Sequence, residues 1–324
     1  MERNKVELSV IIVSYQTRDL LAQCLHALRE ALARAAQRAG LPPEDYAEVW
    51  VVDNASGDGT AAYVREAFPW VHLIANPENR GFAAANNQAL AQVRGRYFLL
   101  LNPDTVVLDD ALTRLTTFLD DHPEAGLVGG RLCYADGSFQ HSAFRFPTLW
   151  MAWFDFFPLH HRLTNSRWNG RYPRAVYEDG PFEIDHPLGA CMLVRREVVA
   201  QVGGLSEDFF LYCEEIDWCL RIRWAGWRIF CEPRAQVLHH SGASTRQFRE
   251  WSFVQLHQSR LRLFRKYYPL WYRAGARAIV GLGLLAEVLR AWHGSRRGRI
   301  SKEDWQARLR ACRGVFRAVR SAPL

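Results

Sequence analysis

No uncharged apolar run in this 324-residue chain reaches the length of a bilayer span, so no segment is expected to cross a membrane. Met1 to Leu8 lack the apolar h-region of a secretory signal, so no signal peptide is expected. The seven cysteines (Cys24, Cys133, Cys191, Cys213, Cys219, Cys231, Cys312) are scattered and odd in number, without a C-x-x-C pair. That argues against a disulfide framework or a zinc cluster and for a reducing cytoplasm. Internal repeats and low-complexity segments are absent too. With 49% apolar and 23% charged residues, the chain reads as globular rather than disordered.

The net charge of +7 is unevenly spread: residues 260–324 hold 16 Lys and Arg against three acids, a net +13, leaving −6 for the rest. Either the basic tail alone meets an anionic surface, or it is a solvated helical face. No nucleic-acid partner is expected.

Strand and helix alternate along the first third of the chain. Leu8-Ser-Val-Ile-Ile-Val-Ser14 reads as a buried parallel strand, followed by a helix from Arg18 to about Arg38. Strands at Glu48–Asp53, Val71–Ala75 and Arg96–Leu101 alternate with helices at Gly59–Ala67 and Phe82–Arg94. This is the pattern of an open, mostly parallel α/β sheet, whose ligands bind beyond the carboxyl ends of the strands. Asp53 and Asp104 fall at such ends. Phe139 to Pro187 is rich in aromatics, proline and histidine without a period: a lid or acceptor wall, or an irregular packing layer. The helical period returns from Glu214 to Trp224, closed by Gly226, and strands Trp227–Cys231 and Gln236–His240 follow.

Five stretches could carry chemistry. Gly57 to Ala62 formally matches G-x-G-x-x-A, but in the second βα turn, and the carboxylates of Asp53 and Asp58 would repel a pyrophosphate. Asp53 reads instead as an acceptor for the N3–H of uracil or thymine, and Asp58 as a helix cap. In Asn79-Arg80-Gly81, glycine allows close approach of backbone and base, while the following helix N-terminus with Arg80 favours phosphate. Leu101-Asn102-Pro103-Asp104 delivers a carboxylate that can hold a hard cation, or is an ordinary turn. Glu214 and Glu215 project about 100° apart on one helix, so only one can readily face the crevice, as a general base; or the acids simply favour the helix N-terminus. Asp217 and Arg221, at i and i+4, read as a structural pair. His239 and His240 end a strand on opposite faces, so at most one enters the site as a metal ligand.

Taken in order, these residues resemble the family 2 glycosyltransferases, and within them the bacterial rhamnosyltransferase-like subgroup. The resemblance runs through Val10–Tyr15, Val51–Ser56, Asn79–Asn87, Leu101–Asp104, Gly189–Arg196, Gly203–Leu205, Phe209–Tyr212, Glu214–Asp217, Arg221–Trp227 and Val237–His240, covering roughly residues 5 to 250.

The resemblance implies an A-type glycosyltransferase fold and a metal-dependent, inverting hexosyltransferase. Its catalytic domain would span 1–250, with a nucleotide-binding half to about 105 and an acceptor half from about 106. A basic helical extension, 251–324, would follow. Glu215 would be the base; Ser14, Tyr15, Asp53, Asn79, Arg80, Gly81, Asn87 and Asn102 would hold the nucleotide. Asp104 and His239 would bind Mn2+ or Mg2+, with Glu214, Asp217, Glu207 and Gly189 on the acceptor side or behind it. The expected donor is a nucleoside-diphosphate sugar, first of all dTDP-L-rhamnose, and the acceptor a glycan or polyprenyl-linked glycan of cell-surface polysaccharide synthesis. The enzyme would be cytoplasmic, at the inner face of the cell membrane. Two positions depart from the pattern: Gln16 replaces the usual Asn, and Ser206 stands where Asp commonly precedes Glu207. The rival readings are an NAD-dependent oxidoreductase and a non-catalytic sugar-nucleotide or membrane-binding module.

The tail adds an expectation of its own. Between Arg273 and Trp292, the charged residues Arg273, Arg277, Glu287 and Arg290 fall within roughly 140° of a helical wheel, and the remaining arc is apolar. Arg296, Arg297 and Arg299 follow. The stretch 273–299 suits a helix lying on an anionic leaflet, though Gly275, Gly281 and Gly283 weaken it. It suits equally a helix packed on the catalytic domain with its arginines in water.

Overall fold

The computed structural model describes residues 6–240 and 248–321. Among these the strands are β1 (Leu8–Ser14), β2 (Ala47–Asp53), β3 (His72–Ala75), β4 (Tyr97–Leu101), β5 (Thr105–Val107) and β6 (Ala125–Cys133). They continue with β7 (Ala143–Phe144), β8 (Phe182–Glu183), β9 (His186–Pro187), β10 (Cys191–Arg195) and β11 (Arg228–His239). The main sheet has nine strands in the order β3-β2-β1-β4-β10-β6-β11-β5, with β8 also on β11. Its first four strands are parallel, and β6 and β11 point the same way; β5, β8 and β10 run against them.

The run of β1 is continuous because both its faces are covered. Leu8, Val10 and Ile12 share one core with Leu21, Leu25, Leu28 and Leu32 of the helix Arg18–Ala39. Ile11 and Val13 enter a second core with Ala85 and Ala89 of the helix Phe82–Leu90. All seven β1 residues are buried, and each large aliphatic among them contributes about 1.5–3 kcal/mol by leaving water.

The expected first-half elements are present, and the strand Gln236–His240 joins Trp227–Cys231 into the single strand β11. Pairing with β6 shifts register between Glu232 and Gln236, because Pro233 has no N–H to give the ladder. The Glu232 carboxylate instead accepts the Arg234 N–H at 2.8 Å. In β6 the pair Gly129–Gly130 admits close neighbours: a Cβ on Gly130 would lie 2.8 Å from the Ala235 carbonyl oxygen.

The chain forms two compact units. The first runs to Arg145 and takes up Arg174–Asp208 and the chain from Glu214 through β11. It holds the sheet, and within it Phe139, Tyr177 and Phe182 stack edge to face with centroids 5.0 Å apart, a packing layer. The second comprises Phe146–Pro173, Phe209–Cys213 and the C-terminal helices Arg249–Tyr267, Leu270–Arg296 and Lys302–Ser321. Its core contains Phe156, Val280, Leu284, Cys312 and Val315. Among the described residues, no helix is long and apolar enough to cross a membrane.

Gly130→Ala should destabilise the protein by about 1–3 kcal/mol, since a backbone oxygen cannot step aside as a side chain can. Urea unfolding of the variant against the parent measures it; an unchanged midpoint would show that β6 and β11 can separate without cost.

Candidate active site

The sheet direction decides which residues meet. Ser14, Asp53 and His239 close β1, β2 and β11, and Asn102 follows β4, all at the carboxyl edge of the strands that point together. Because β10 runs the other way, its beginning reaches this edge, and the Asn102 N–H donates to the Ala190 carbonyl at 3.0 Å.

At the nucleotide side, Ser14 and Asp53 are register partners, and both are buried. Burial lifts the Asp53 carboxyl above its ordinary value, against hydrogen bonding from Ser56. Asp58 behaves otherwise: its carboxylate accepts the Thr60 and Arg18 N–H groups at 3.1 and 3.0 Å, an arrangement that holds a turn. Tyr15 is half-buried beside Gln16, whose backbone has φ +57° and whose N–H donates to the Ser56 hydroxyl at 2.9 Å.

The Asn79–Gly81 loop is organised by Asn54, a residue that sequence reasoning passed over beside Asp53. Asn54 Nδ2 donates to Asn79 Oδ1 at 2.8 Å, and Asn54 Oδ1 accepts the Arg80 N–H at 3.0 Å. Asn79 Oδ1 in turn accepts the Gly81 N–H. Gly81, at φ +83°, turns the chain into the helix Phe82–Leu90, and the Arg80 side chain is exposed. The Asn87 amide is occupied on the protein: it accepts the Leu205 N–H and donates to the Leu205 carbonyl and to Glu207 Oε1 at 2.9 Å.

Asp104 and His239 come together. Asp104 Oδ1 lies 3.4 Å from His239 Nε2, both side chains are buried, and β5 and β11 pair Thr105 with His239. His239 Nδ1 faces Gln140 Oε1 at 3.3 Å. With Nδ1–H donating to that amide oxygen, Nε2 presents a lone pair beside a carboxylate oxygen, an arrangement that a proton or a cation must bridge. The donor set therefore fits a divalent ion, although no group of three His, Cys, Asp or Glu gathers among the described residues. Such a pair leaves the remaining coordination to ligand oxygens and water. Gln140 carried no sequence signal, since it lies in the aperiodic aromatic stretch.

The helix Glu214–Trp224 opens after two consecutive residues at φ +69°, Tyr212 and Cys213, a strained entry. Glu215 is half-buried, and Gly189 packs against it: a Cβ on Gly189 would lie 3.8 Å from the Glu215 side chain. Glu214 is buried, its Oε2 without a hydrogen-bond partner among the described residues, and burial, then the charge of Glu215, push its carboxyl well above the usual range. Asp217 is fully buried and paired with Arg221 at 2.8 Å, whose other donors reach the Val202 and Gly204 carbonyls. A cleft of about 510 Å³ beside Leu108, lined by Arg114, Arg131, Tyr177 and Arg234, includes none of these site residues.

Glu214 yields a stability prediction. Its folded form keeps the proton to higher pH than the unfolded chain does. The contribution is therefore complete below the ordinary glutamate value and is lost as pH rises from there through the raised folded value. The urea midpoint should fall between pH 5 and pH 8 by less in Glu214→Gln than in the parent. Equal pH dependence in the two proteins would mean that Glu214 is not held neutral.

Residues 9–203 match the family model described as Glycosyl transferase family 2. The chain is 28% identical over 286 residues to the N-acetylglucosaminyl-diphospho-decaprenol L-rhamnosyltransferase of Mycobacterium tuberculosis (strain ATCC 25618 / H37Rv), covering 83% of this chain and 88% of that one. To rhamnosyltransferase WbbL of Escherichia coli (strain K12) it is 29% identical over 180 residues, 52% of this chain and 64% of the relative. Among solved structures, mannosyltransferase PcManGT from Pyrobaculum calidifontis, in complex with GDP-Man and Mn2+, superposes with a TM-score of 0.56 at 18% identity. The match covers 97% of this chain and 87% of that one. The likeness bears out the A-type glycosyltransferase fold.

Proposed function

The chain belongs to glycosyl transferase family 2, and from that premise we propose that it is a metal-dependent, inverting rhamnosyltransferase acting on a lipid-linked glycan. The observation that supports the chemistry is the buried Asp104–His239 pair, with Oδ1 and Nε2 3.4 Å apart where β11 ends. The identity of donor and acceptor rests on relatives: dTDP-L-rhamnose and a polyprenyl-linked saccharide are the readings that a decaprenol-linked rhamnosyltransferase at 28% identity supports. The reaction would serve cell-surface polysaccharide synthesis.

In this reading Asp53 accepts from the N3–H of the thymine or uracil ring, and that hydrogen bond offsets the burial of its carboxylate. The loop Asn79–Gly81, fixed by Asn54, brings backbone and the Arg80 guanidinium to the diphosphate. Asp104 and His239 would hold the divalent cation, which when bound would neutralise charge on the diphosphate. Glu215 takes the proton of the acceptor hydroxyl as its oxygen bonds to the anomeric carbon and the bond from that carbon to the diphosphate breaks. Configuration inverts because attack and departure are on opposite faces. A positioned base of this kind supplies about 10²–10⁴-fold. Glu214, kept neutral, leaves Glu215 the only charge of the pair.

Two substitution experiments test this. Asp104→Ala should abolish transfer and weaken nucleoside-diphosphate binding, His239→Ala should do so less severely, and Mn2+ should serve at least as well as Mg2+. Full transfer in excess EDTA would remove the cation from the reaction. Glu215→Gln should lose most of kcat while donor affinity changes by less than about 1 kcal/mol, as for a near-isosteric swap. If Glu214→Gln proves the more damaging of the two, the base is Glu214. Product mass spectrometry with a panel of nucleotide sugars decides the donor. An oxidoreductase would instead be stabilised by dinucleotide without metal, and a binding module would release no nucleoside diphosphate.

A further inference from the structure

The helix Leu270–Arg296 packs one side and leaves a row of large apolar side chains exposed on the other. Tyr272, Ala276, Val280, Gly283, Leu284 and Ala291 are its buried positions. The charged arc lies on this same side: Arg273 Nε donates to the Tyr268 carbonyl at 2.8 Å, and Arg290 to the Phe156 carbonyl at 2.9 Å. Glu287 on that side pairs with Arg290 and Arg308. On this side Arg273 and Arg277 are half-buried and Arg290 is exposed, so the arginines combine contacts to the unit with access to water.

The opposite arc, about 80° wide at about 100° per residue, carries Trp271, Leu282, Leu285, Leu289 and Trp292, and between the first two Ala274 and Ala278. The five large side chains are 69%, 55%, 57%, 54% and 43% exposed. Helices of soluble units ordinarily bury one apolar stripe; this one has two, and one of them, roughly 30 Å long, is open.

We infer that this open stripe docks the protein on an anionic lipid surface. Tryptophans stand at both ends of the stripe, where a side chain with an apolar body and a polar N–H suits the boundary between acyl chains and headgroups. Arg296, Arg297 and Arg299, all exposed, follow Trp292, with the Arg296 guanidinium 4.3 Å from the centroid of its ring. Residues 260–324 hold only Glu287, Glu303 and Asp304 as acids against 16 basic side chains. A second copy of this surface would meet it with like charge, which disfavours self-association. An anionic leaflet complements both features, accepting hydrocarbon along the stripe and arginine at its end. The inference stands on this helix alone and does not require the assignment of donor, acceptor or base.

The test is co-sedimentation of the full chain with phosphatidylcholine vesicles prepared with and without phosphatidylglycerol. The protein should pellet with the anionic vesicles and be released by salt. Leu285→Gln with Leu289→Gln should lower the bound fraction at least about tenfold, since two buried leucines are lost from the lipid. Both sites are exposed, so the urea midpoint and the release of nucleoside diphosphate from the donor should be unchanged. Arg297→Gln with Arg299→Gln should weaken binding and flatten its salt dependence. A parent that stays in the supernatant at low salt would overturn the inference, as would a leucine variant that binds as the parent does. So would a parent that is a concentration-dependent dimer made monomeric by the leucine substitutions.

Discussion

The reversed strand β10 is the constraint on which the site depends. A sheet made only of βα units would bring nothing but strand carboxyl ends to the ligand edge. Inserting β10 antiparallel between β4 and β6 carries its leading residues Gly189 and Ala190 there as well. Met192 then pairs with both Leu100 and Gly129, so the register of one strand fixes the neighbours on either side. Shifting it by one residue would turn Cys191 and Leu193 out of the main core and move the hydrogen bond that joins Ala190 to Asn102. It would also remove the glycine against which Glu215 packs.

Within this frame the carboxylates divide by what surrounds them. Burial alone would raise Glu48, but the Ser9 hydroxyl and the Arg94 backbone and side chain outweigh it and hold the group below its ordinary value. Asp58 is likewise pulled down by donors in its own turn and from Arg18. Both are satisfied inside the fold. Asp53 and Glu214 move the other way, because each is desolvated without comparable donors. A protein that stabilises its structural acids and leaves these two destabilised keeps them for partners or protons outside its own chain. Asp53 ends a strand at the ligand edge, whereas Glu214 is buried next to Glu215, whose charge helps to hold its proton.

What could be read from sequence follows the same division. Strands β1 to β4 and their helices were legible because continuous Val, Ile and Leu runs alternate with helical periods, each bounded by turn residues. Asp53 and Asp104 were legible as acids at strand ends. Strands β6 and β10 carry no comparable signal, because their short runs contain glycines or follow an irregular stretch, and their pairing joins residues far apart in the chain. Gln140 and Asn54 were invisible for a related reason: each acts only through a partner, His239 in one case and the Asn79–Gly81 loop in the other. The aromatic stretch 139–187 held two fates under one composition, a packed layer around Tyr177 and a segment, 146–173, that belongs with the C-terminal helices.

The helix Leu270–Arg296 shows where periodicity stops being informative. Four charged residues within one arc imply a polar face, and the ordinary inference is that polar faces meet water. Arginine can meet water and still pack, because its long stem and planar head can cross an apolar surface and end on a carbonyl oxygen. Arg273 and Arg290 do so within the second unit, closing on Tyr268 and Phe156. Interleaved with them, Tyr272, Ala276 and Val280 supply the contact that the helix needs on that side. The apolar arc is thereby released from the task of holding the fold. Its leucines and terminal tryptophans stay exposed at a cost that an external hydrocarbon surface would offset.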